Sequence, residues 1–512
     1  MSERPSQTAS WTDFNHPLWG WLLIASALAN VLPLWAAKHL PFTDLPQHVA
    51  AIATLRHWFD PAWKAQQYFT LALSQTQYLL YYLAGALLAF PFGTAERANV
   101  VLLSIVGASF PFALRALLRS LRVDERLALF GAPLFWSQAL LIGFFNYLAA
   151  LPLLLWTLSL CVRQAEVPRR RTALTLAVAS LALFYLHLSA FLFFAPAAVL
   201  AAWLLPTRSL LKLPARLSWM APSALAGVLF LVKSPVINPS SVGWTAPRAI
   251  GFEDVGAALR NLPAALLEMW NSGQDDWILL ALIAAAALIA WPGEREAEDP
   301  KQRLRRGIAA AWIVWAWVLY FFFPKSIGWL WQLNERYAIL AALLLPLLLR
   351  PLRGLRGAVP LLLVAVIAAC SGALAESKIV DFDREVGGFD ALLAKAQPGR
   401  RMIGLIYDSG SNVARFSPYL HYASLYRARS GGLTSFSFAE LPQSPLRYRP
   451  ESAPPAKPQS WEWHPDVYRN DIDGYYYDYV LIRGPRGIFD RPMPGPQWHL
   501  IDQSGLWQLW GK

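Results

Sequence analysis

Apolar runs follow one another through residues 18–375, and their spacing against arginine-rich loops constrains the fold more than any other feature. Runs long enough, or nearly long enough, to cross a bilayer occupy residues 18–37, 75–92, 98–116, 127–142, 147–162, 172–187, 188–206, 216–233, 277–292, 307–324, 338–350 and 356–375. With 56% hydrophobic residues and 24 tryptophans among 512 residues, they exceed what a water-soluble core can bury. A net charge of +12 would suit nucleic acid in a soluble protein. Here the arginines cluster instead in short loops at 115–126, 163–171, 208–216, 295–306 and 350–356. Consecutive basic loops lie two spans apart, so all can face the cytoplasm, and no nucleic-acid partner is expected.

That parity makes residues 143–146, the turn near His187, the loops 234–276 and 325–337, and everything after 376 face outward. With a cytoplasmic N-terminus only two spans fit before Arg115, although three apolar runs are present. The run 75–92 has a polar start, several tyrosines and a break at Phe90-Pro91-Phe92-Gly93. It is therefore expected to be an interfacial or re-entrant helix pair within a long first outward loop, 38–97. An outward N-terminus would instead put Asp44 in the cytoplasm. Residues 1–17 lack the charged start and cleavage site of a signal peptide, so 18–37 is expected to be a retained anchor. Cys161 and Cys370 fall in or at the end of apolar runs, where neither a disulfide framework nor a zinc site is indicated.

After residue 376 the composition turns water-soluble. Short apolar runs at 402–407 and 479–482, bounded by glycine and charge, read as strands, and the proline-rich stretch 441–460 reads as an extended loop. The expected architecture is mainly α. It is a polytopic transmembrane helical bundle of about eleven spans, plus the interfacial or re-entrant segment, in residues 1–375, followed by a small soluble α/β domain, 376–512.

The stretch 41–58, PFTDLPQHVAAIATLRHW, puts an acid and a histidine at the membrane surface. Asp44 reads as a helix N-cap with Gln47 as its capping-box partner and a proline in the first turn. His48 lies one turn further on the same face, so carboxylate and imidazole could also point at one bound molecule.

The segments PFTDLPQHVA, GFFNYLAALPLLLWTLSL at 143–160 and LHLSAFLFFAPAAVL at 186–200 carry a resemblance. With the long acidic first outward loop and the outward C-terminal domain, the chain resembles the GT-C class of integral-membrane glycosyltransferases, in a bacterial multi-span branch. The resemblance implies a sugar donor carried on a polyprenyl phosphate, and a first-loop acid, here Asp44, that acts as general base on the acceptor or positions a metal that does. A hydroxyl or amide acceptor needs such a proton acceptor within hydrogen-bond reach as it attacks the anomeric carbon. The class often has a second acidic motif, and Asn146 stands where that carboxylate would be. Asp44 with His48 would give zinc or manganese two ligands, which do not define a site, so the sequence requires no cofactor.

The resemblance also implies an arginine that grips the carrier phosphate, matched here by Arg336 in the outward 334–337 segment, Asn-Glu-Arg-Tyr. Arg336 could equally pair with Glu335 or reach lipid headgroups. Lys325, at the other end of that loop, has the same readings; Lys233 and Arg248 are further outward cations. His187 closes a span where it could line the same cavity as His48 or simply pack. The aromatic stretch 325–332 suits sugar stacking or an interfacial belt, and the acids and tyrosines of 466–478 suit a turn or a sugar contact.

The expected function is transfer of a sugar from a polyprenyl-phosphate donor to a lipid, glycan or protein acceptor at the outer face of a bacterial inner membrane. Catalysis falls to Asp44 and His48, and substrate binding to Arg336, His187, Asn146 and Lys325. Two alternatives stay open. A non-catalytic GT-C-like scaffold is kept alive by Asn146 and the capping role of Asp44. A lipid or polysaccharide transporter would predict inverted repeats and charges at mid-membrane, of which the runs carry few.

Overall fold

The computed structural model describes residues 11–13, 16–73, 76–206, 208–234, 237, 249–291, 298–484 and 497–512. Among them, the helices Pro17–Trp35, Ala95–Ser120, Phe145–Glu166, Pro300–Phe322 and Leu355–Val386 are long and apolar enough to cross a membrane. Shorter apolar helices, among them Leu79–Phe92, Leu188–Leu204 and Arg336–Leu348, complete the bundle. The Ala95–Ser120 helix shows how sequence and packing cooperate. Thr94 caps its start, and the internal Pro111 removes the amide that would bond Gly107. The Asn30 side chain of the first span donates to that carbonyl at 3.1 Å, so the acceptor freed by the proline is not orphaned inside the bundle.

The basic loops gather at one end. Arg115 and Arg119 hold Glu125, Arg305 holds Glu166, Gln302 donates to Leu121 O, and Arg350 reaches Glu298. Arg126 donates to Thr12 O, which places the residues before the first span at this end too. Asp44, Asn146 and Arg336 lie at the opposite end of the helices that carry or follow them.

Three expectations change. The run 127–142 does connect the two ends, yet it is no continuous helix. It forms 3-10 turns at Glu125–Gly131 and Pro133–Phe135 and a short helix at Gln138–Ile142, broken where Gly131 and Pro133 interrupt the run. Residues 126–137 are all buried, the setting in which irregular backbone is tolerated at membrane depth. The run 75–92 forms a single helix, Leu79–Phe92, rather than a pair. Its 14 residues reach about 21 Å, short of a hydrocarbon layer of about 30 Å. The stretch 441–460 is not wholly loop: Leu446–Tyr448 pairs antiparallel with Phe69–Leu71 and ties the segment 38–97 to the C-terminal region.

The Leu355–Val386 helix runs on past residue 375 and leads into a five-stranded sheet. The order is Leu433–Thr434, Arg401–Ile406, Tyr479–Arg483, Trp507–Gly511 and His499–Ser504. The two runs read as strands from sequence are its parallel neighbours, Met402 opposite Tyr479. Every residue of Tyr479–Arg483 is buried, as befits a central strand covered on both faces. His39, just after the first span, fastens this region to the bundle through Asp383 at 2.7 Å and Asp390 at 3.1 Å.

Candidate active site

Asp44 precedes the Leu45–Arg56 helix, but its carboxylate does not cap it. Its ψ of −2° is helical, whereas a capping side chain needs extended backbone, and Pro46 offers no amide to accept from. Gln47 is no capping-box partner either. Its side chain donates to Phe436 O at 2.9 Å and accepts from Phe438 N at 3.3 Å, clamping the C-terminal domain onto this helix. The Asp44 carboxylate is thereby released from the helix end and meets His421 Nε2 at 3.2 Å. His421 is buried and stacked on Phe436 with ring centroids 5.0 Å apart.

The backbone beneath Asp44 is equally fixed. Thr43 N and Asp44 N donate to Leu141 O and Ile142 O at 2.9 and 3.0 Å. Gly143 follows with φ of +100°, and a side chain there would collide with the Asp44 Cβ. His48 secures this turn: its Nε2–H donates to Gly143 O at 2.8 Å, leaving Nδ1 buried and unpartnered. Burial among Tyr82, Phe145 and Phe438 lowers the His48 pKa to about 4 despite the nearby Asp44 charge, so the ring is neutral at pH 7.

Asp44, His48, Asn146, His187 and Arg336 line one narrow cavity of about 140 Å³. Asn146 bonds the Tyr82 hydroxyl and leaves its Oδ1 unpartnered. Arg336 is buried over the Phe144 ring at 4.3 Å, with Nη1 3.1 Å from His187 Nε2 and Nη2 3.4 Å from Trp331 O. Its Nε has no partner, and among the described residues no carboxylate lies within ion-pair distance of it. His187 Nδ1 accepts from Ser189 N at 3.1 Å as the cap of Leu188–Leu204, which puts its ring proton on Nε2. That N–H then faces an Arg336 N–H, two donors without an acceptor between them. An anion would supply one. The Tyr147 hydroxyl donates to Arg336 O and the Tyr337 hydroxyl to Ser189 O at 3.2 Å, which locks the three helix ends together.

Glu335, the alternative partner of Arg336, is taken by Lys325 at 3.2 Å, and Lys325 also holds Glu253 at 2.8 Å. Lys325 lines neither this cavity nor the next. Lys233 is exposed at the end of its helix, and Arg248 lies outside the described residues. In 466–478, Asp473 is wholly buried against Lys457 and the Arg469 amide, a structural turn contact. Among the described residues no group of three or more His, Cys, Asp and Glu is placed to hold a metal ion. Asp44 and His421 offer two donors, and His48 spends its Nε2 on Gly143.

Sequence reasoning missed His421, whose signal is a lone histidine within the aromatic stretch FSPYLHY at 416–422. It also missed Glu440, whose buried carboxyl is pushed up to about 7. Glu440 lines a second, wider cavity that shares Asp44, Trp329, Trp331 and Phe438 with the first.

No protein-family model and no curated protein matches the sequence. Among solved structures, ArnT from Cupriavidus metallidurans in the apo state superposes with a TM-score of 0.56 at 13% identity, covering 97% of this chain and 98% of that one. The archaeal oligosaccharyltransferase AglB from Archaeoglobus fulgidus, in complex with an inhibitory peptide and a dolichol-phosphate, matches at a TM-score of 0.46 and 12% identity over 93% of this chain and 70% of its own. The ArnT likeness is one of fold.

Proposed function

We propose that this chain, which has a GT-C-type fold, is a membrane glycosyltransferase that moves a sugar from a polyprenyl-phosphate donor to an acceptor at the outer face of the inner membrane. The observation that carries the reading is one cavity joining a carboxylate to a buried guanidinium with unmet hydrogen bonds, Asp44 and Arg336. The Asp44 carboxylate takes the acceptor's proton as the acceptor oxygen or nitrogen forms its bond to the anomeric carbon. The bond from that carbon to the phosphate oxygen breaks, and the electron pair leaves on the polyprenyl phosphate. Arg336 and the His187 N–H hold that phosphate as its charge grows. His421 orients the Asp44 carboxylate, and neutral His48 holds the Gly143 turn against it. The gathering of the basic loops at the far end of the bundle supports, by the positive-inside rule, an outer-side Asp44 and a periplasmic C-terminal sheet.

The donor half is tested by binding alone. Undecaprenyl phosphate added to the purified protein should raise its unfolding temperature, and Arg336→Gln should abolish that rise. An equal rise in parent and variant would remove Arg336 from the donor site.

A further inference from the structure

The wider cavity, about 680 Å³, opens between the 328–331 turn of the bundle and the C-terminal domain, with Asp44 at its edge. Its volume lies in the range of built ligand sites. One side is a chain of aromatic rings: Trp331 stacks on Phe416 at 5.6 Å, and Phe416 meets Trp463 edge-on at 5.8 Å. Trp331 and Trp463 stay 41% and 40% exposed, so aromatic surface remains open in the cavity lining. Beside Asp44, the Thr43 hydroxyl is buried and has no partner.

The charges narrow the ligand further. Lys457, the lysine of this cavity, is spent on buried Asp473, and His421 is turned to Asp44. Among the described residues that line it, no cation is left to hold a phosphate or carboxylate, in contrast to the Arg336 side. The cavity's other acids, Glu440 and Glu462, are both raised toward their neutral forms by burial. A protonated carboxyl donates one hydrogen bond and accepts others, as hydroxyl groups require.

We infer that this cavity is the acceptor site and that it takes an uncharged carbohydrate, a sugar whose ring faces lie on Trp331 and Trp463 and whose free hydroxyl reaches Asp44. The acceptor role rests on the reading of Asp44 as base; the ligand class rests on the cavity itself. The sugar can arrive as a free glycan or as the headgroup of a glycolipid, and both present the same hydroxyls and ring faces.

The test is saturation-transfer NMR on the full chain in lipid nanodiscs, titrated with neutral malto-, manno- and chito-oligosaccharides. A second set of nanodiscs carries diglucosyldiacylglycerol, with oligosaccharide as competitor. Choline and inorganic phosphate serve as charged probes. Saturable sugar binding is expected in one of the two forms, weakened roughly tenfold by Trp463→Ala and not displaced by either charged probe. Binding confined to the oligosaccharide set identifies a free glycan, and competition by the glycolipid identifies a headgroup. Absence of neutral sugar binding in both sets overturns the inference. So does sugar binding indifferent to Trp463, or displacement by choline or phosphate. Sugar binding here without transfer from any donor would spare the ligand class and sink the transferase reading. Transfer to a non-sugar acceptor, without sugar binding, would do the reverse.

Discussion

Replacing Gly143 with alanine tests whether the position of the Asp44 carboxylate governs transfer. Gly143 holds φ of +100°, and a residue with a Cβ in left-handed backbone loses about 1–2 kcal/mol. The added carbon would stand 2.7 Å from the Asp44 Cβ and 3.0 Å from its amide nitrogen. Ordinary carbon contact is about 3.5–4.0 Å, so Asp44 must retreat by about 1 Å. Its retreat is resisted by the bond from its amide to Ile142 O at 3.0 Å and by His421 at 3.2 Å. A displacement of about 1 Å at a reacting group costs about 100-fold in rate. Gly143→Ala should therefore lower kcat about 100-fold. The assay is transfer in proteoliposomes, with unfolding in detergent run alongside to confirm that the variant is folded. A folded Gly143→Ala protein that transfers at the parent rate refutes the argument.

Three further outcomes follow from the same contacts. His48 has a folded pKa of about 4 against 6.5 unfolded, so the unfolded chain binds the extra proton and stability falls as pH drops from 6.5 toward 4. The gap corresponds to about 3 kcal/mol, and His48→Phe should flatten the acid limb of the unfolding curve by that amount; an unchanged limb would show that another group sets it. Arg336→Gln should raise the donor KM about 10- to 100-fold, and Arg336→Lys less, because lysine keeps the charge but loses the fork; equal KM in all three proteins would contradict the phosphate contact. Lys325→Ala removes the cation beside Glu335 and leaves Glu253 only its bonds from Asn261 and Asn334, so it should cost about 1–3 kcal/mol of stability while folded protein keeps its turnover; lost turnover in folded protein would return Lys325 to the site.

The bundle was legible where the signal is local. Long apolar runs and their flanking arginines mark spans and their shared end without reference to the rest of the chain. Asp44, His48, Asn146, His187 and Arg336 come from four separate stretches, yet each is a polar residue in a junction between apolar runs away from the arginine-rich loops, and the structure gathers them around one cavity. What sequence hid depends on backbone angle or distant partners. Asp44 has every residue-level mark of a cap, and only its helical ψ and the missing Pro46 amide free the carboxylate. Gln47 matches a capping box and instead grips 436–438. His421 gains meaning from a partner at the other end of the chain. The run 127–142 is apolar enough to read as a helix, and its broken path is tolerated because residues 126–137 are all buried in the bundle.

The most direct measurement is transfer by proteoliposomes supplied with radiolabelled polyprenyl-phosphate sugars, comparing the parent with Asp44→Asn. Because Asp44 makes no capping hydrogen bond, asparagine removes the base without removing a helix cap. The parent should transfer sugar and a folded Asp44→Asn protein should lose that activity. Equal transfer by both, or no transfer by the parent from any donor in the set, would contradict the account.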